Sequence, residues 1–155
     1  MDQTFLIRPA RIQDVTTIQH IRRSVRENRL SDPLSVTDAD CARMLQLQGE
    51  GWVAEAQGQL VGFSIVDYQD HNVWALFLLP EFEGQGIGKA LLDQLMRTYF
   101  SRHQEALWLS TTPGTRAEGF YRKLGWQEVG PFGEEEIKFE FYRDHWLALS
   151  HSSHE

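Results

Sequence analysis

Three glycines, Gly84, Gly86 and Gly88, occupy every second position of one short stretch, and Lys89 follows directly. An apolar run over residues 73–79 precedes them, and apolar residues at helical spacing follow. Glycines at the start of a helix leave its backbone amides uncovered, and the helix dipole adds partial positive charge there. Such a site binds anions, most often phosphate. The stretch therefore predicts a phosphate-binding loop between a buried strand and a helix.

Two common phosphate-binding motifs do not match this loop. A Walker A loop requires glycine where this chain has Glu83, and Ser or Thr where it has Ala90. A dinucleotide fingerprint, G-x-G-x-x-G, is one residue longer. The loop resembles instead the pyrophosphate loop of the GNAT superfamily of acyl-CoA N-acyltransferases, [QR]-x-x-G-x-[GA] after a strand and a V-x-P turn. The match covers residues 78–80 and 83–88, with Glu83 in place of Gln or Arg. If the loop is considered alone, an alternative interpretation stays open, namely a glycine-rich turn that only packs a helix on a sheet.

A second segment, residues 117–126, is similar to the other GNAT signature, A-x-x-[FL]-Y-x-K-x-G-F. The positions that match are Ala117, Phe120, Tyr121, Lys123, Gly125 and, as an aromatic, Trp126. The alternative interpretation is an amphipathic helix with an aromatic stripe and a glycine stop. Both motifs occur in the order that the family shows. The resemblance extends over nearly the whole chain, about residues 5–142, and is weakest before Trp52.

The resemblance implies an N-acetyltransferase that moves an acetyl group from acetyl-CoA to a primary amine by direct attack in a ternary complex. The amides expected to hold the pyrophosphate belong to Gly84, Gln85, Gly86, Ile87, Gly88 and Lys89. The strand residues expected to pair with the pantetheine arm are Phe77, Leu78 and Leu79. The family often has Asn where this chain has Gly114, so the resemblance leaves Thr111 or Thr112 to make a contact near that arm.

Three catalytic roles follow from the same resemblance. The backbone N–H of Leu78 is the expected donor to the oxyanion, and the phenol of Tyr121 is the expected acid for the thiolate. A base must also take the proton of an ammonium acceptor. His71 is the candidate because imidazole titrates near neutral pH; Asp67 and Glu81 are further candidates.

Other functions stay open at this point. The chain is alternatively a non-catalytic acyl-CoA-binding or sensor protein on the same fold, an acyltransferase for a different acyl-CoA, or a nucleotide-binding regulatory protein. The acceptor is a small-molecule or peptide amine that the sequence does not identify. The histidines near the C-terminus, His151 and His154, show no spacing typical of a metal site, so no metal is expected.

Composition sets the broader limits. The 155 residues suit one domain, 1–155, with residues 143–155 as a C-terminal tail. A hydrophobic fraction of 41% indicates a packed protein, and the net charge of −7 disfavours nucleic acid and suits a cationic partner. No apolar run approaches membrane-spanning length. A single cysteine and the absence of a signal peptide favour the cytoplasm. A homodimer is among the open possibilities for assembly.

The elements that position these residues follow in the order βααβββαβαββ. This order predicts an α+β fold with a GNAT-like mixed, mostly antiparallel central sheet flanked by helices. The first helix begins near Asp14, and its arginines, at positions 22, 23, 26 and 29, are expected on a solvated face. The alternative, in which Arg23 or Arg26 lines a substrate pocket, stays open. A capping box at Thr37 opens the second helix, which glycines at 49 and 51 are expected to end. A strand is expected to begin at Trp52, and residues 130–133 are expected to form a turn.

Overall fold

A seven-stranded sheet with helices on both faces is the frame of the molecule. The computed structural model describes residues 4–25 and 36–152. The elements are β1 (Phe5–Pro9), α1 (Val15–Ser24), α2 (Asp38–Arg43), β2 (Gly49–Ala56), β3 (Gln59–Asp67), β4 (Asn72–Leu78), α3 (Ile87–Arg102), β5 (Leu107–Thr111), α4 (Arg116–Lys123), β6 (Gln127–Phe132), β7 (Glu136–Phe141) and α5 (Arg143–Ser152). The predicted α+β class and element order are confirmed, with one further helix at the end. Each helix in these ranges is too short or too polar to cross a bilayer.

The sheet has the strand order β1-β2-β3-β4-β5-β7-β6. All neighbouring strands are antiparallel except β4 and β5, which are parallel and connected by α3. This parallel pair has a single register partnership, Asn72 with Trp108, so the two strands diverge beyond it. On its other side β4 stays paired with β3 as far as Gly62 opposite Leu78. A gap between β4 and β5 therefore opens at the carboxyl end of β4.

Two apolar layers cover the sheet. Helices α1 and α2 pack on one face, and α3 and α4 pack on the other. The predicted apolar face of α3 is confirmed, since Ile87, Leu91 and Leu95 are all buried. Gly62 lets these layers approach, because a Cβ there would lie 2.9 Å from both Leu78 Cδ1 and the Phe77 carbonyl oxygen. Close packing at this point holds the end of β4 against α3.

Two element boundaries differ from the prediction. Strand β2 begins at Gly49, three residues before the predicted start at Trp52. Gly49 also caps the helical turn Met44–Gln48, as predicted, and donates its N–H to the Met44 carbonyl oxygen. A Cβ at Gly49 would lie 1.9 Å from the carbonyl oxygen of Val66 on β3. Strand β6 continues through the predicted turn to Phe132. A bulge between Glu128 and Gly130 accommodates the glycine, whose φ is 142°. Proline 131 is tolerated because β6 is an edge strand of the sheet.

The predicted tail and the predicted arginine face also differ from the structure. Residues 143–152 form α5, in which Trp146 stacks on Phe100 at 5.9 Å between ring centroids. Only three apolar residues mark this helix, so its sequence pattern is weak. Arg23 is exposed as predicted, but Arg22 is buried. Arginines 26 and 29 lie outside the described residues. The capping box at Thr37 is confirmed.

Candidate active site

A cavity of about 230 Å³ lies beside the carboxyl end of β4. Three elements supply most of its wall: the end of β4 in the sheet, the glycine loop, and the first turns of α4. Val25, which follows α1 on the other face, also lines the cavity. The lining residues are Val25, Leu76, Phe77, Leu78, Glu83, Gly84, Gly86, Gly88, Lys89, Arg116, Ala117, Phe120 and Tyr121. The cavity is therefore reachable by groups from both faces of the sheet.

The glycine loop has the conformation that an anion site requires. Gly84 and Gly86 have φ values of 79° and 86°, which side chains disfavour. The first backbone bond of α3 runs from the Ala90 N–H to the Gly86 carbonyl oxygen at 3.1 Å. The three amides before Ala90 therefore have no acceptor within the helix. The predicted phosphate-binding arrangement of strand, loop and helix is present.

Charges at the loop come from one anion and two cations. The anion is Glu83, the residue that replaces Gln or Arg of the family motif. Its Oε1 lies 3.4 Å from Nε of Arg116, the first residue of α4. Both side chains line the cavity together with Lys89. Arg116 is distant from the loop in sequence, so the loop motif alone gave no sign of this contact.

Tyr121 is held in place by the two ends of α4. Thr115 caps the first turn, where its side chain accepts a hydrogen bond from the Glu118 N–H, and Gly125 follows the helix with φ 98°. The Tyr121 ring is 7% exposed and packs edge-to-face on Trp126 at 5.7 Å. Burial raises the pKa of its phenol above the ordinary value of 10. The hydroxyl is therefore a neutral proton donor at physiological pH.

The amide of Leu78 faces the gap between β4 and β5. The next residue, Leu79, donates its N–H to the Val61 carbonyl oxygen on β3 at 2.8 Å. Successive amides of a strand point to opposite edges, so the Leu78 N–H points away from β3. Strand β5 has diverged at this level. The predicted oxyanion donor thus lies on the open edge of β4.

Most predicted cofactor residues come together, but not all of them line the cavity. Those that do are Phe77, Leu78, Gly84, Gly86, Gly88, Lys89 and Tyr121. Ile87 is buried in the core, although its amide belongs to the start of α3. Leu79, Gln85, Thr111 and Thr112 lie outside the lining. Within the described ranges, the Oε1 of Gln85 and the Oγ1 of Thr112 are buried and lack a hydrogen-bond partner.

The structure does not bring the candidate bases to the cavity. His71 precedes β4, about 20 Å from Leu78 by the length of a seven-residue strand. Its Nδ1 lies 3.0 Å from the hydroxyl of Tyr99. The carboxylate of Asp67 accepts hydrogen bonds from two backbone amides of the β3–β4 turn and from Gln48. Glu81 is exposed and outside the lining.

Sequence reasoning missed the buried position of Arg22. Its guanidinium carbon lies 5.1 Å from the ring centroid of Phe77, a lining residue, and 5.0 Å from that of Trp74. The helical spacing could have predicted this burial, because Arg22 lies four residues after Ile18 and so falls on the apolar face of α1. Because the side chain is charged, we expected it on the solvated face of the helix instead.

The protein thus combines a mixed sheet that has one parallel strand pair with a glycine loop after β4 and a buried tyrosine in the same cavity. This is the arrangement that the two sequence motifs predicted. Residues 48–128, just over half of the chain, match the family model of the acetyltransferase (GNAT) domain. The chain therefore belongs to the GNAT family of acetyltransferases, as its two motifs predicted.

Individual relatives agree with this assignment. The chain is 30% identical over 73 residues to the [ribosomal protein bS18]-alanine N-acetyltransferase of Haemophilus influenzae. That alignment covers 46% of this chain and 50% of the relative, so the chain matches about half of the relative's length. The PaiA N-acetyltransferase of Thermoplasma acidophilum, solved in complex with coenzyme A, superposes with a TM-score of 0.77 at 19% identity. This superposition covers 90% of the chain and 99% of the structure, and it shows the same fold.

Proposed function

We propose that this protein transfers an acetyl group from acetyl-CoA to a primary amine by direct attack in a ternary complex. One observation carries the proposal: the glycine loop, the open end of β4 and Tyr121 line a single cavity. The glycine loop suits a diphosphate, the open end of β4 suits a carbonyl oxygen, and Tyr121 suits a leaving thiolate. These are the three groups that an acyl-CoA presents during acyl transfer.

The loop supplies binding energy at the diphosphate. Free amides at the start of α3 donate hydrogen bonds to phosphate oxygens, and the helix dipole favours their charge. Lys89 adds a cation, and Arg116 adds a second that Glu83 partly offsets. Because these contacts are the same before and after acyl transfer, they lower the dissociation constant without changing the chemical step.

The open edge of β4 and Tyr121 act on the reacting atoms. When the amine attacks the thioester carbonyl, negative charge develops on the carbonyl oxygen. The Leu78 N–H donates a hydrogen bond to that oxygen from a fixed position. As the carbon–sulfur bond breaks, the Tyr121 hydroxyl gives its proton to the sulfur, and the phenolate then recovers a proton, through water, from the nitrogen of the new amide. The products are the amide and free CoA thiol.

The proton of an ammonium acceptor must leave before attack. Among the described residues that line the cavity, Glu83 is the single carboxylate and there is no histidine. The Glu83 carboxylate is paired with Arg116. We therefore infer that water takes this proton and relays it to solvent. His71 has no part in this step because it lies at the far end of β4.

Val25 and Phe77 line the side of the cavity away from the glycine loop, and we propose that the acceptor binds there. We propose a primary amine of a small molecule or a peptide, which the net charge of −7 suits electrostatically. The Haemophilus influenzae relative is named for acetylation of alanine in a ribosomal protein. A peptide that begins with alanine is therefore the first acceptor to test.

An amine screen tests the proposal. The protein is incubated with acetyl-CoA and a panel of amines and peptides, and free CoA thiol is measured. We expect thiol release that requires both protein and amine. Binding of acetyl-CoA without turnover of any amine would favour the sensor alternative, and faster release from propionyl- or succinyl-CoA would replace acetyl as the donor group.

A further inference from the structure

Two histidines and a glutamate meet at the end of the sheet opposite the cavity. His71 lies in the β3–β4 turn, and His103 and Glu105 follow α3. Each side chain offers one ligand atom, and these atoms lie within 4.8 Å of one another. We propose that these three residues form a binding site for a divalent transition-metal ion of the zinc class.

The donor set fits this class of ion. Zinc takes imidazole nitrogens and carboxylate oxygens at about 2.0–2.2 Å, commonly from two histidines and one glutamate with water in the fourth position. Ligand atoms around such an ion are roughly 3.3 Å apart. The separations between the ligand atoms must therefore shorten by at most about 1.5 Å when an ion binds. Glu105 is exposed, so the ion and its water have a path from solvent.

Tyr99 sets the tautomer of His71. The Tyr99 hydroxyl donates to the backbone carbonyl oxygen of Glu105 at 3.0 Å, which uses its only proton. Nδ1 of His71, 3.0 Å from the same hydroxyl oxygen, must then be the donor in their contact. Neutral His71 therefore carries its proton on Nδ1 and presents the lone pair of Nε2. A hydrogen bond on the second ring nitrogen is the usual support of a metal-binding histidine.

Stacking positions the second histidine. The His103 ring lies 4.9 Å from the Tyr99 ring and 5.0 Å from the Tyr68 ring, nearly parallel to both. Its centroid is 5.7 Å from that of His71. Two of the three ligands are thus held before any ion binds, which lowers the entropy cost of binding.

The site joins two segments that are far apart in sequence. An ion there would link the β3–β4 turn to the segment after α3, about 20 Å from the acyl-transfer cavity. Its effect is therefore on stability and not on chemistry. This proposal replaces the expectation of no metal, which examined only spacing along the chain.

Calorimetric titration of ZnCl₂ into the EDTA-treated, tag-free full chain tests the site. We expect one ion per chain and a rise in melting temperature on zinc addition. His71→Ala, His103→Ala and Glu105→Gln should each weaken binding at least tenfold. Tyr99→Phe, which removes the hydroxyl that fixes the tautomer, should weaken it by about 10–100-fold. Glu105 is exposed, so its variant folds whatever the effect of the others.

Two controls separate this site from other histidines. His20→Ala changes an exposed histidine on α1 and should leave zinc binding unchanged. The double variant His151→Ala/His154→Ala should also bind zinc normally. Zinc binding that survives Glu105→Gln and His103→Ala, or that disappears with the C-terminal pair, overturns the proposal. So does the absence of binding at about 100 μM zinc.

Discussion

Arg116 places its Nε 3.4 Å from the Glu83 Oε1 at the edge of the cavity, so two chain segments of opposite charge meet where a diphosphate is proposed to bind. Both side chains are partly exposed, which makes this contact weak by itself. Its importance lies in the charge it presents to a ligand. A carboxylate beside a diphosphate opposes binding, and a guanidinium favours it.

Replacing Glu83 with Gln should tighten CoA binding. The change removes one negative charge next to the loop and keeps the size of the side chain. Because the site is open to solvent, the gain should shrink as salt rises from 50 mM to about 0.5 M, where the Debye length is only a few ångströms. Calorimetry at two salt concentrations measures it. The matched variant Arg116→Gln should change affinity in the opposite direction, and weaker binding by Glu83→Gln would mean that the carboxylate assists the ligand.

Gly86→Asp should abolish CoA binding. A side chain there has space, since no atom lies within 4 Å of its Cβ position, but it brings a carboxylate to the free amides of α3. The positive φ adds a backbone penalty of about 1 kcal/mol. Gly58→Asp is the matched control, because Gly58 has φ 78° and equally open surroundings in the β2–β3 turn. Both variants should lose similar stability in urea, and only Gly86→Asp should lose the acetyl-CoA-dependent rise in melting temperature.

Tyr121→Phe should lower kcat by about 10²-fold and leave CoA affinity unchanged. Positioned acids contribute about 10²–10⁴, and CoA thiolate is a fairly good leaving group. Since burial raises the phenol pKa above 10, Tyr121 keeps its proton throughout the neutral and mildly alkaline range. Activity should therefore show no loss between pH 7 and 9 that depends on Tyr121. Tyr142→Phe changes an exposed tyrosine and should be neutral; a wild-type rate for Tyr121→Phe would assign the acid to water.

The contact between Asp14 and Arg8 should make the free energy of unfolding fall at acid pH. The Asp14 carboxylate accepts two hydrogen bonds from Arg8, each 3.0 Å, and these lower its pKa from the ordinary 3.8. The folded pKa is depressed, so the stabilisation is present above pH 3.8 and is lost as pH falls through the lower folded value. Asp14→Asn should cost about 2 kcal/mol at pH 7 and less below pH 4. Urea unfolding at both pH values measures this, and Asp93→Asn, which breaks an exposed ion pair, should cost far less.

Local patterns predicted the parts of the site that are local. The glycine loop needs only adjacent residues to specify its backbone, and the position of Tyr121 follows from a ten-residue motif. Leu78 was placed correctly at the end of a strand, but its open edge depends on the divergence of β4 from β5. The contact between Arg116 and Glu83 depends on how α4 packs, which no short motif contains.

The errors have physical causes of the same kind. Arg22 was placed in solvent by its charge, whereas the rings around it favour a buried guanidinium through cation–π contacts. Strand β2 was expected to begin at Trp52, although Gly49 already belongs to it and lets β2 approach β3. His71 was favoured for its intrinsic pKa, which says nothing about its position along β4. In each case residue type was informative about chemistry and not about distance.

The single register pair between β4 and β5 divides the sheet into two antiparallel halves, β1–β4 and β5–β7. Under mechanical tension this line has the fewest hydrogen bonds to break, so the halves should separate there before any hairpin unravels. A ligand in the cavity would contact both β4 and α4, the helix that follows β5, and would add interactions across that line. The force needed to pull the halves apart should therefore rise when the cleft is filled, which makes the enzyme's mechanical strength a reporter of its occupancy.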